Sequence, residues 1–357
     1  MNLVIERNAL LAALTKVAGV VARRSTLPIL SNILIEATDG ITIRATNLDL
    51  EATVRAPATV TAPGAICVPA DALLNIAKNA SEGAEISLTL EDRLIVKSGR
   101  SRFKLATLSA QDFPTFAPLT KPTELTMTVA QLQALVGRTA FAVSKDASRF
   151  FITGVRLFSD GKTLGSVSTD GKRMAVFEHV LSGKGVECTI PTPFVAEIGR
   201  LSGDVVTVRA TAEKLQIEAP DMTITGKLID LDYAVWRRVI PTDLPNVATV
   251  DCDELLTALR RVQLAIEGES HSCRLVFGEG SIKVMARTSE ADAADEVDAT
   301  YDGPETELGV NSAHMIEALT ALDADVAVIA FKDKGYGMTV RSSVDGGFLN
   351  VVMPLKS

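Results

Sequence analysis

The chain has 357 residues, of which 47% are hydrophobic and 22% charged, and its formal net charge is −8. This length suffices for two or three ordinary domains, and the composition is typical of a well-packed globular protein and excludes a disordered one. No apolar run reaches the roughly 18 residues that a membrane-spanning helix needs. The acidic balance argues against a simple nucleic-acid-binding domain, unless positive charge is concentrated on one surface.

The four cysteines are widely spaced and form no C-x-x-C pair: Cys67, Cys188, Cys252 and Cys273. Together with an N-terminus that lacks a signal-peptide pattern, they predict reduced thiols and a cytoplasmic location. The three histidines are equally dispersed, which favours neither a metal site nor a catalytic triad. We therefore expect no cofactor, no metal and no catalytic residue.

The chain repeats itself three times. A short β-type run, a polar break and a Leu-rich helical pattern recur over 2–14, 124–136 and 247–259. Leu10, Leu132 and Leu255 correspond, at intervals of roughly 120 residues, which is the size of a domain. Such self-similarity indicates one structural unit used three times.

The correspondence continues within each repeat. Strand, turn and strand are predicted over 37–46, 158–169 and 277–288. A strand end, a capping region and a second amphipathic helix are predicted over 68–78, 190–200 and 310–320. Each repeat should therefore hold two helices packed on about eight short antiparallel strands, an α+β architecture. Pro-bearing linkers place the three domains at 1–120, 121–244 and 245–357.

Basic residues recur at equivalent places on the predicted helices. They are Lys16, Arg138, Arg260 and Arg261 on the first helices, and Lys78 and Arg200 on the second helices. A single exposed lysine usually belongs to a solvated helix face, but recurrence favours a shared surface that contacts phosphates without reading base sequence. Two three-domain chains would supply twelve helices. Side by side at roughly 9 Å, these helices form a circle whose circumference through the helix axes is about 108 Å, and the opening is wide enough to pass a duplex.

Several motifs resemble the bacterial DNA polymerase III β subunit, the family of DNA sliding clamps. They are RRSTLPILSNILIEATDG (23–40), ATNLDLE (45–51), VPADALLNI (68–76), SGRSRFKLATLSAQDFP (98–114), STDGKRMAV (168–176), GKLID (226–230), RRVIP (237–241) and VVMPL (351–355). The resemblance covers essentially the whole chain. It implies three repeated clamp domains and a ring-shaped, head-to-tail homodimer with pseudo-sixfold symmetry and no catalysis. It also implies partners: double-stranded DNA, an ATP-driven clamp loader, and DNA polymerase and other proteins that bind through short clamp-binding peptides.

The same resemblance implies two sets of contact residues. DNA-facing positions match Arg24 and the segment Arg149–Phe150–Phe151, with the helix cations as weaker candidates; core packing is an equally good interpretation for Phe151. The dimer seam should be formed on one side by Phe103, Leu105, Arg100 and Arg102, and on the other by Leu264, Glu290, Asp292, Asp295 and Glu296.

A partner-peptide pocket is implied as well. Its lining would be Ile152, Thr169, Gly171, Lys172, Arg173, Met174, Arg238, Val239, Asn311, His314, Val351, Met353, Pro354 and Leu355. The chain departs from the family pattern at this pocket: Ala234 replaces a usual proline, His314 an aromatic residue, and Gly335 and Gly337 larger side chains. Because these changes remove apolar contact area, we expect altered partner choice or weaker binding of peptide-like inhibitors.

Two other functions remain open on the sequence alone. A homodimeric scaffold could bind partner peptides without encircling DNA. A hydrolase built from scattered Asp and His residues has little support, because no pair of acids stands at a catalytic spacing.

Overall fold

The computed structural model describes residues 1–159, 163–180, 185–266 and 271–355. The chain divides into two compact units: unit 1 is Met1–Gln133 with Pro193–Leu228, and unit 2 is Ala134–Thr192 with Ile229–Ser357. The predicted turn at 160–161, the side chain of His179 and the last two residues lie outside the described part.

Six α-helices are found among the described residues. They are α1 (Arg7–Val17), α2 (Ala70–Asn79), α3 (Val129–Ala140), α4 (Thr192–Ile198), α5 (Cys252–Gln263) and α6 (Ser312–Leu322). Each follows a strand directly, as the repeat predicts. Side-chain caps begin several of them: the carboxylate of Asp251 accepts a hydrogen bond from the Glu254 amide at 2.9 Å, and the Asn311 side chain accepts one from the His314 amide at 3.1 Å.

Unit 1 contains two antiparallel sheets. Its strands are β1 (Asn2–Glu6), β2 (Asn32–Ala37), β3 (Ile41–Thr46), β4 (Leu50–Ala56), β5 (Thr59–Ala62), β6 (Gly64–Pro69), β7 (Glu85–Leu90), β8 (Leu94–Ser98), β9 (Ser101–Leu105), β10 (Thr123–Thr128), β15 (Val205–Ala210), β16 (Lys214–Glu218) and β17 (Met222–Lys227). The smaller sheet has the order β5-β1-β7-β8-β9, and the larger has the order β10-β15-β16-β17-β4-β3-β2-β6. Strand β17 pairs with β4, so the first and second repeats share the larger sheet.

Unit 2 is built on one continuous antiparallel sheet. Its strands are β11 (Gly154–Ser159), β12 (Thr163–Thr169), β13 (Arg173–Val180), β14 (Cys188–Pro191), β18 (Asn246–Asp251), β19 (Ser272–Gly278), β20 (Ser281–Arg287), β21 (Asp292–Thr300), β22 (Thr306–Asn311), β23 (Val326–Phe331), β24 (Met338–Ser342) and β25 (Phe348–Val352). The order is β14-β11-β12-β13-β25-β24-β23-β18-β21-β20-β19-β22, and β13 pairs with β25. Here the second and third repeats share a sheet.

Apolar helix stripes and the inner faces of the strands form the core. In α5, Leu255, Leu259 and Val262 are buried while Arg260 is exposed, the pattern of an amphipathic helix lying on a sheet. Short 3₁₀ helices at Pro28–Ser31, Ala110–Asp112, Ala147–Ile152 and Trp236–Val239 join the strands. The predicted α+β class with helices on antiparallel sheets is confirmed. No helix in the described ranges is long and apolar enough to cross a membrane.

Candidate functional site

The floor of the predicted pocket lies in unit 2, where β13 and β25 pair. Met174 stands opposite Val351 in this ladder, and both side chains are buried. They belong to an apolar cluster that includes Trp236, with Ile240 packed against it. Residues from the second and third repeats therefore meet at one apolar surface.

The C-terminal segment forms one edge of this pocket. The Met353 amide donates a hydrogen bond to the Lys172 carbonyl at 2.9 Å, and the Leu355 amide donates one to the Gly309 carbonyl at 2.8 Å. These bonds fix Met353, Pro354 and Leu355 between the turn before β13 and strand β22. All three side chains are partly buried, which leaves apolar surface for a ligand.

Arg173 is the charged residue at the centre of the pocket wall, and its side chain is only 9% exposed. Its guanidinium donates to the Asp170 carboxylate at 3.2 Å, to the Phe141 carbonyl at 2.7 Å and to the Glu317 carboxylate of α6. It also lies over the Phe141 ring, 5.3 Å from the centroid. A buried arginine so fully bonded is held rigidly, and it ties β13 to α6.

His314 is half-buried on α6, one turn before Glu317. Burial lowers its pKa from the usual 6.5, and the positive charge of Arg173 lowers that pKa further, while the acids Asp170 and Glu317 act in the opposite direction. Both effects favour the uncharged imidazole.

The other predicted lining residues differ in exposure. Ile152 is buried at the end of its 3₁₀ helix, Asn311 caps α6, and Thr169 accepts a hydrogen bond from the Gly171 amide at 3.0 Å. Lys172 and Arg238 are exposed, and neither forms an ion pair with a described residue. Val239 is 58% exposed, an apolar side chain available to a ligand.

The two glycine departures differ in their surroundings. A Cβ at Gly337 would meet Val351 Cγ1 at 3.0 Å, Met353 Sδ at 3.1 Å and Pro241 Cγ at 3.3 Å, so this glycine forms part of the pocket wall. A Cβ at Gly335 would approach only Asp333, at 3.2 Å. Of the two glycines, Gly337 therefore lies against predicted lining residues and Gly335 does not.

The predicted DNA-facing residues outside the helices differ in exposure: Arg24 and Phe150 are exposed, and Arg149 is partly buried. Arg24 precedes the 3₁₀ helix Pro28–Ser31 and has no ion-pair partner among the described residues. Arg149 pairs with Asp146 at 3.1 Å, and its neighbour Phe150 is 57% exposed. Phe151 is partly buried, so it contributes to packing.

The predicted helix cations differ in their ion-pair partners. Only Lys78 and Arg260 are exposed without an acidic partner in the described ranges. The other four are bonded to carboxylates: Lys16 to Asp221, Arg138 to Asp345, Arg200 to Glu197 and Arg261 to Asp295. The helical wheel could not reveal Asp221 and Asp345, because these partners lie about 200 residues away along the chain, at contacts made only in the folded state.

The predicted seam residues lie on or next to two strands, β9 and β21, that have an edge unpaired by the described residues. Phe103 is 39% exposed on β9, the edge strand of the smaller sheet in unit 1, with Leu105, Arg100 and Arg102 beside it. In unit 2, β21 pairs with β18 through Thr300 and Ala299, and one edge of 292–298 is unpaired by the residues that the structure describes. This stretch carries Asp292, Asp295 and Glu296, with Glu290 just before it; Leu264, after α5, is 88% exposed.

Sequence reasoning missed Glu317 and Phe141, which hold Arg173 in place. Glu317 lies one helical turn after His314, and that spacing could have suggested a shared face. Phe141 contributes through its carbonyl and ring, for which the sequence carries no signal. Among the residues that the structure describes, no group of three or more His, Cys, Asp or Glu side chains could hold a metal.

Three family models match almost the whole chain. They are the N-terminal domain of the DNA polymerase III beta subunit over residues 1–117, its central domain over 126–234 and its C-terminal domain over 237–356. The beta sliding clamp of Caulobacter vibrioides is 34% identical over 371 residues, with 100% of both chains covered. The fold is similar to two solved structures that each match over 100% of both chains. One is the DNA polymerase III subunit beta of Pseudomonas aeruginosa (TM-score 0.95, 30% identity), and the other is a sliding clamp of Bartonella birtlesii bound to griselimycin (TM-score 0.96, 28% identity).

Fold and site together define a three-domain DNA clamp, a tether for a polymerase and other partners that has no catalytic centre of its own. The chain belongs to the DNA polymerase III beta subunit family, the bacterial beta sliding clamps. Its three clamp domains are α+β with antiparallel sheets, and its role is in DNA replication.

Proposed function

We propose that two copies of the chain close head to tail into a ring around double-stranded DNA, and that the ring tethers its partners through the pocket of unit 2. The observation that supports the tethering role is the buried apolar cluster at Met174 and Val351, which lies beside the C-terminal segment and α6. Apolar anchors of a short peptide can fill such a surface, while exposed Lys172 and Arg238 at its rim contact the peptide's polar groups.

Two complementary edges support the homodimer. Edge strand β9 carries Arg102 and Lys104, with Arg100 in the turn just before it, and the stretch 292–298 of β21 carries acids. A free strand edge is a template for pairing with another chain, and opposite charges select the partner. Exposed Phe103 and Leu264 would add apolar contact at the same seam.

Within this ring, exposed cations on each unit would contact DNA phosphates without reading base sequence. The candidates are the exposed residues Arg24, Lys78 and Arg260, together with the partly buried Arg149, which pairs with Asp146, and its exposed neighbour Phe150. The net charge of −8 then keeps the outer surface from adhering to nucleic acid in general. A ring of this kind needs an ATP-driven loader to open it.

We assign the domains to 1–120, 121–244 and 245–357, and the protein to the cytoplasm. All four cysteines are free and buried, which suits a reducing compartment.

The griselimycin-bound relative supports the idea that clamp inhibitors bind this protein too. The departures at Ala234, His314 and Gly337 would then alter both inhibitor affinity and the choice of partner peptides.

Retention on circular DNA tests the ring. The protein is loaded onto nicked circular duplex by a bacterial clamp loader with ATP, the complex is separated by gel filtration, and half of it is linearised. We expect retention on the circle and loss from the linear form, because a ring slides off a free end. Equal retention on both forms would instead identify a scaffold that binds DNA without encircling it. No retention on either form would contradict the proposal that the protein binds DNA.

A further inference from the structure

Each unit contains a strand junction between two repeats, and the two junctions are built in the same way. At the first junction, in unit 1, β17 pairs with β4, and the Lys227 amide donates a hydrogen bond to the Asp49 carbonyl at 2.9 Å. At the second junction, in unit 2, β25 pairs with β13, and the Met353 amide donates one to the Lys172 carbonyl at 2.9 Å. Residues of the two junctions can therefore be compared one by one.

The helices beside the junctions correspond as well. Helix α4 begins at Thr192 and α6 at Ser312, and the ends of α1 and α3 are matched through the equivalent leucines Leu10 and Leu132. The resulting pairs, first junction before second, are Gly226 and Val352, Gly19 and Phe141, Phe194 and His314, and Glu197 and Glu317. Two of the four pairs thus have a glycine in unit 1 and a large side chain in unit 2.

The two glycines leave room for the side chains of α4 in unit 1. A Cβ at Gly226 would stand 2.6 Å from Phe194 Cδ1, and a Cβ at Gly19 would overlap Glu197 Oε1. Neither place has space for another carbon atom, because the ring and the carboxylate already fill it. Phe194 is accordingly 0% exposed, and the Glu197 side chain 7% exposed.

Large residues take up the same two places in unit 2. Phe141 follows α3, and Val352 lies buried on β25. The corresponding side chains of α6 are displaced toward solvent: His314 is half-buried, and the Glu317 side chain is 45% exposed. The exposure of this part of α6 therefore rises where the glycines are replaced.

We infer that Phe141 and Val352 are positioning residues, which hold the His314 and Glu317 side chains outward and so shape the α6 wall of the peptide pocket. The inference rests on the proposed function and names what forms the pocket. The Phe141 ring also lies under the Arg173 guanidinium, which Glu317 bonds. Bulk at position 141 thus keeps this ion pair at the wall, and bulk at position 352 keeps the His314 ring from entering the core.

Smaller side chains at the two positions test the inference in the full-length protein. Phe141→Gly and Val352→Ala give the second junction some of the space found in the first. Phe141→Leu is one control, because it keeps an apolar bulk but removes the aromatic face beneath Arg173. Val250→Ala is the other, since it removes the same two methyl groups from a buried valine of β18.

The first readout is the rate at which diethylpyrocarbonate modifies His314 in the free protein, measured by mass spectrometry with His271 as the internal reference. We expect this rate to fall several-fold in Phe141→Gly and in Val352→Ala, because the ring withdraws into the core as Phe194 does. Both controls should keep the wild-type rate. General destabilisation would have the opposite effect, since a loosened core exposes the ring.

The second readout is the Kd of a fluorescein-labelled clamp-binding peptide with two apolar anchors, measured by anisotropy. Loss of one pocket wall should raise this Kd by about 5- to 30-fold in the two test variants and leave it unchanged in the controls.

An unchanged or faster His314 reaction in the test variants would overturn the inference. So would equal effects of Phe141→Leu and Phe141→Gly, which would assign the role to the aromatic contact with Arg173. A wild-type protein that does not bind the peptide would overturn the proposed tethering, and the His314 rates would then decide separately whether the two residues position the α6 side chains.

Discussion

Arg173 donates several of the hydrogen bonds at the predicted pocket. Three oxygens, from Asp170, Glu317 and Phe141, accept hydrogen bonds from one nearly buried guanidinium. The carboxylates of Asp170 and Glu317 are thereby paired, whereas Lys172 and Arg238 are exposed and have no acidic partner in the part of the chain that the structure describes. Loss of Glu317 would leave the buried Arg173 guanidinium with one carboxylate partner, which would lower the free energy of unfolding.

His314 gives the pocket a predictable response to pH. Because burial and Arg173 lower its pKa, His314 stays uncharged until the pH falls below the usual 6.5, and a bound apolar peptide disfavours its protonation further. We expect the affinity for an apolar peptide without titratable groups to be constant near neutrality and to fall at lower pH. Fluorescence titration across the pH range measures it, with His314→Tyr as the control that lacks the fall. The same acid dependence in both proteins would contradict the assignment.

The family departures predict weaker peptide binding than that of a typical clamp. Restoring the usual side chains with Ala234→Pro and His314→Tyr should strengthen it, since one recovered apolar wall is worth about 1–2 kcal/mol, or roughly 5- to 30-fold in Kd. Calorimetry of one clamp-binding peptide against this protein, the double variant and an ordinary clamp provides the comparison. Equal affinities in all three would show that the departures are neutral.

At the scale of elements, the free edge of β9 predicts that dimerisation depends on its apolar face. Phe103→Asp places a charge where the seam excludes water, so sedimentation equilibrium should show monomers. Phe103→Leu, which keeps an apolar side chain, is the matched control and should remain dimeric. The fold itself should survive, because Phe103 is partly exposed on an edge strand. An unchanged dimer with aspartate at this position would place the seam elsewhere.

Two adjacent arginines of α5 should have separate roles. Arg261 is bonded to Asp295 at 3.2 Å beside the edge of β21, whereas Arg260 is exposed without an acidic partner among the described residues. Arg261→Gln should raise the Kd of the dimer by about 2- to 5-fold, as expected for a partly exposed ion pair, and Arg260→Gln should leave it unchanged. Mass photometry at nanomolar concentration compares the two. A larger effect of Arg260→Gln than of Arg261→Gln on the dimer Kd would contradict the roles assigned to these two arginines.

For the whole molecule, the proposed ring predicts DNA contact that is weak, independent of base sequence and sensitive to salt. Arg24→Glu with Arg149→Glu should lower the yield of loaded clamp and reduce the slope of log affinity against log salt by about one for each lost phosphate contact. Arg93→Glu is the matched control, an exposed cation in the turn between β7 and β8 that has no assigned role. An equal loss in this control would show a general charge effect.

The sequence predicted the elements well because they depend on local patterns. The strand before each first helix, the acid–Gly turns at 39–40 and 279–280, and the amphipathic helices are all set by alternation, helical spacing and turn residues within a few positions. The threefold repeat also predicted which residues would be equivalent. The family resemblance then indicated the pocket, and the pairing of Met174 with Val351 accounts for why residues so far apart in sequence can line it.

Only the tertiary structure decided which charges are free. Lys16 and Arg138 look like exposed helix cations in the sequence, yet each is neutralised by an acid about 200 residues away, and Arg173 is held by an acid from another repeat. Local periodicity determines the face of a helix on which a side chain lies, but it carries no information about what packs against that face. That partner is set by strand pairing between repeats, which brings distant turns to the ends of the helices.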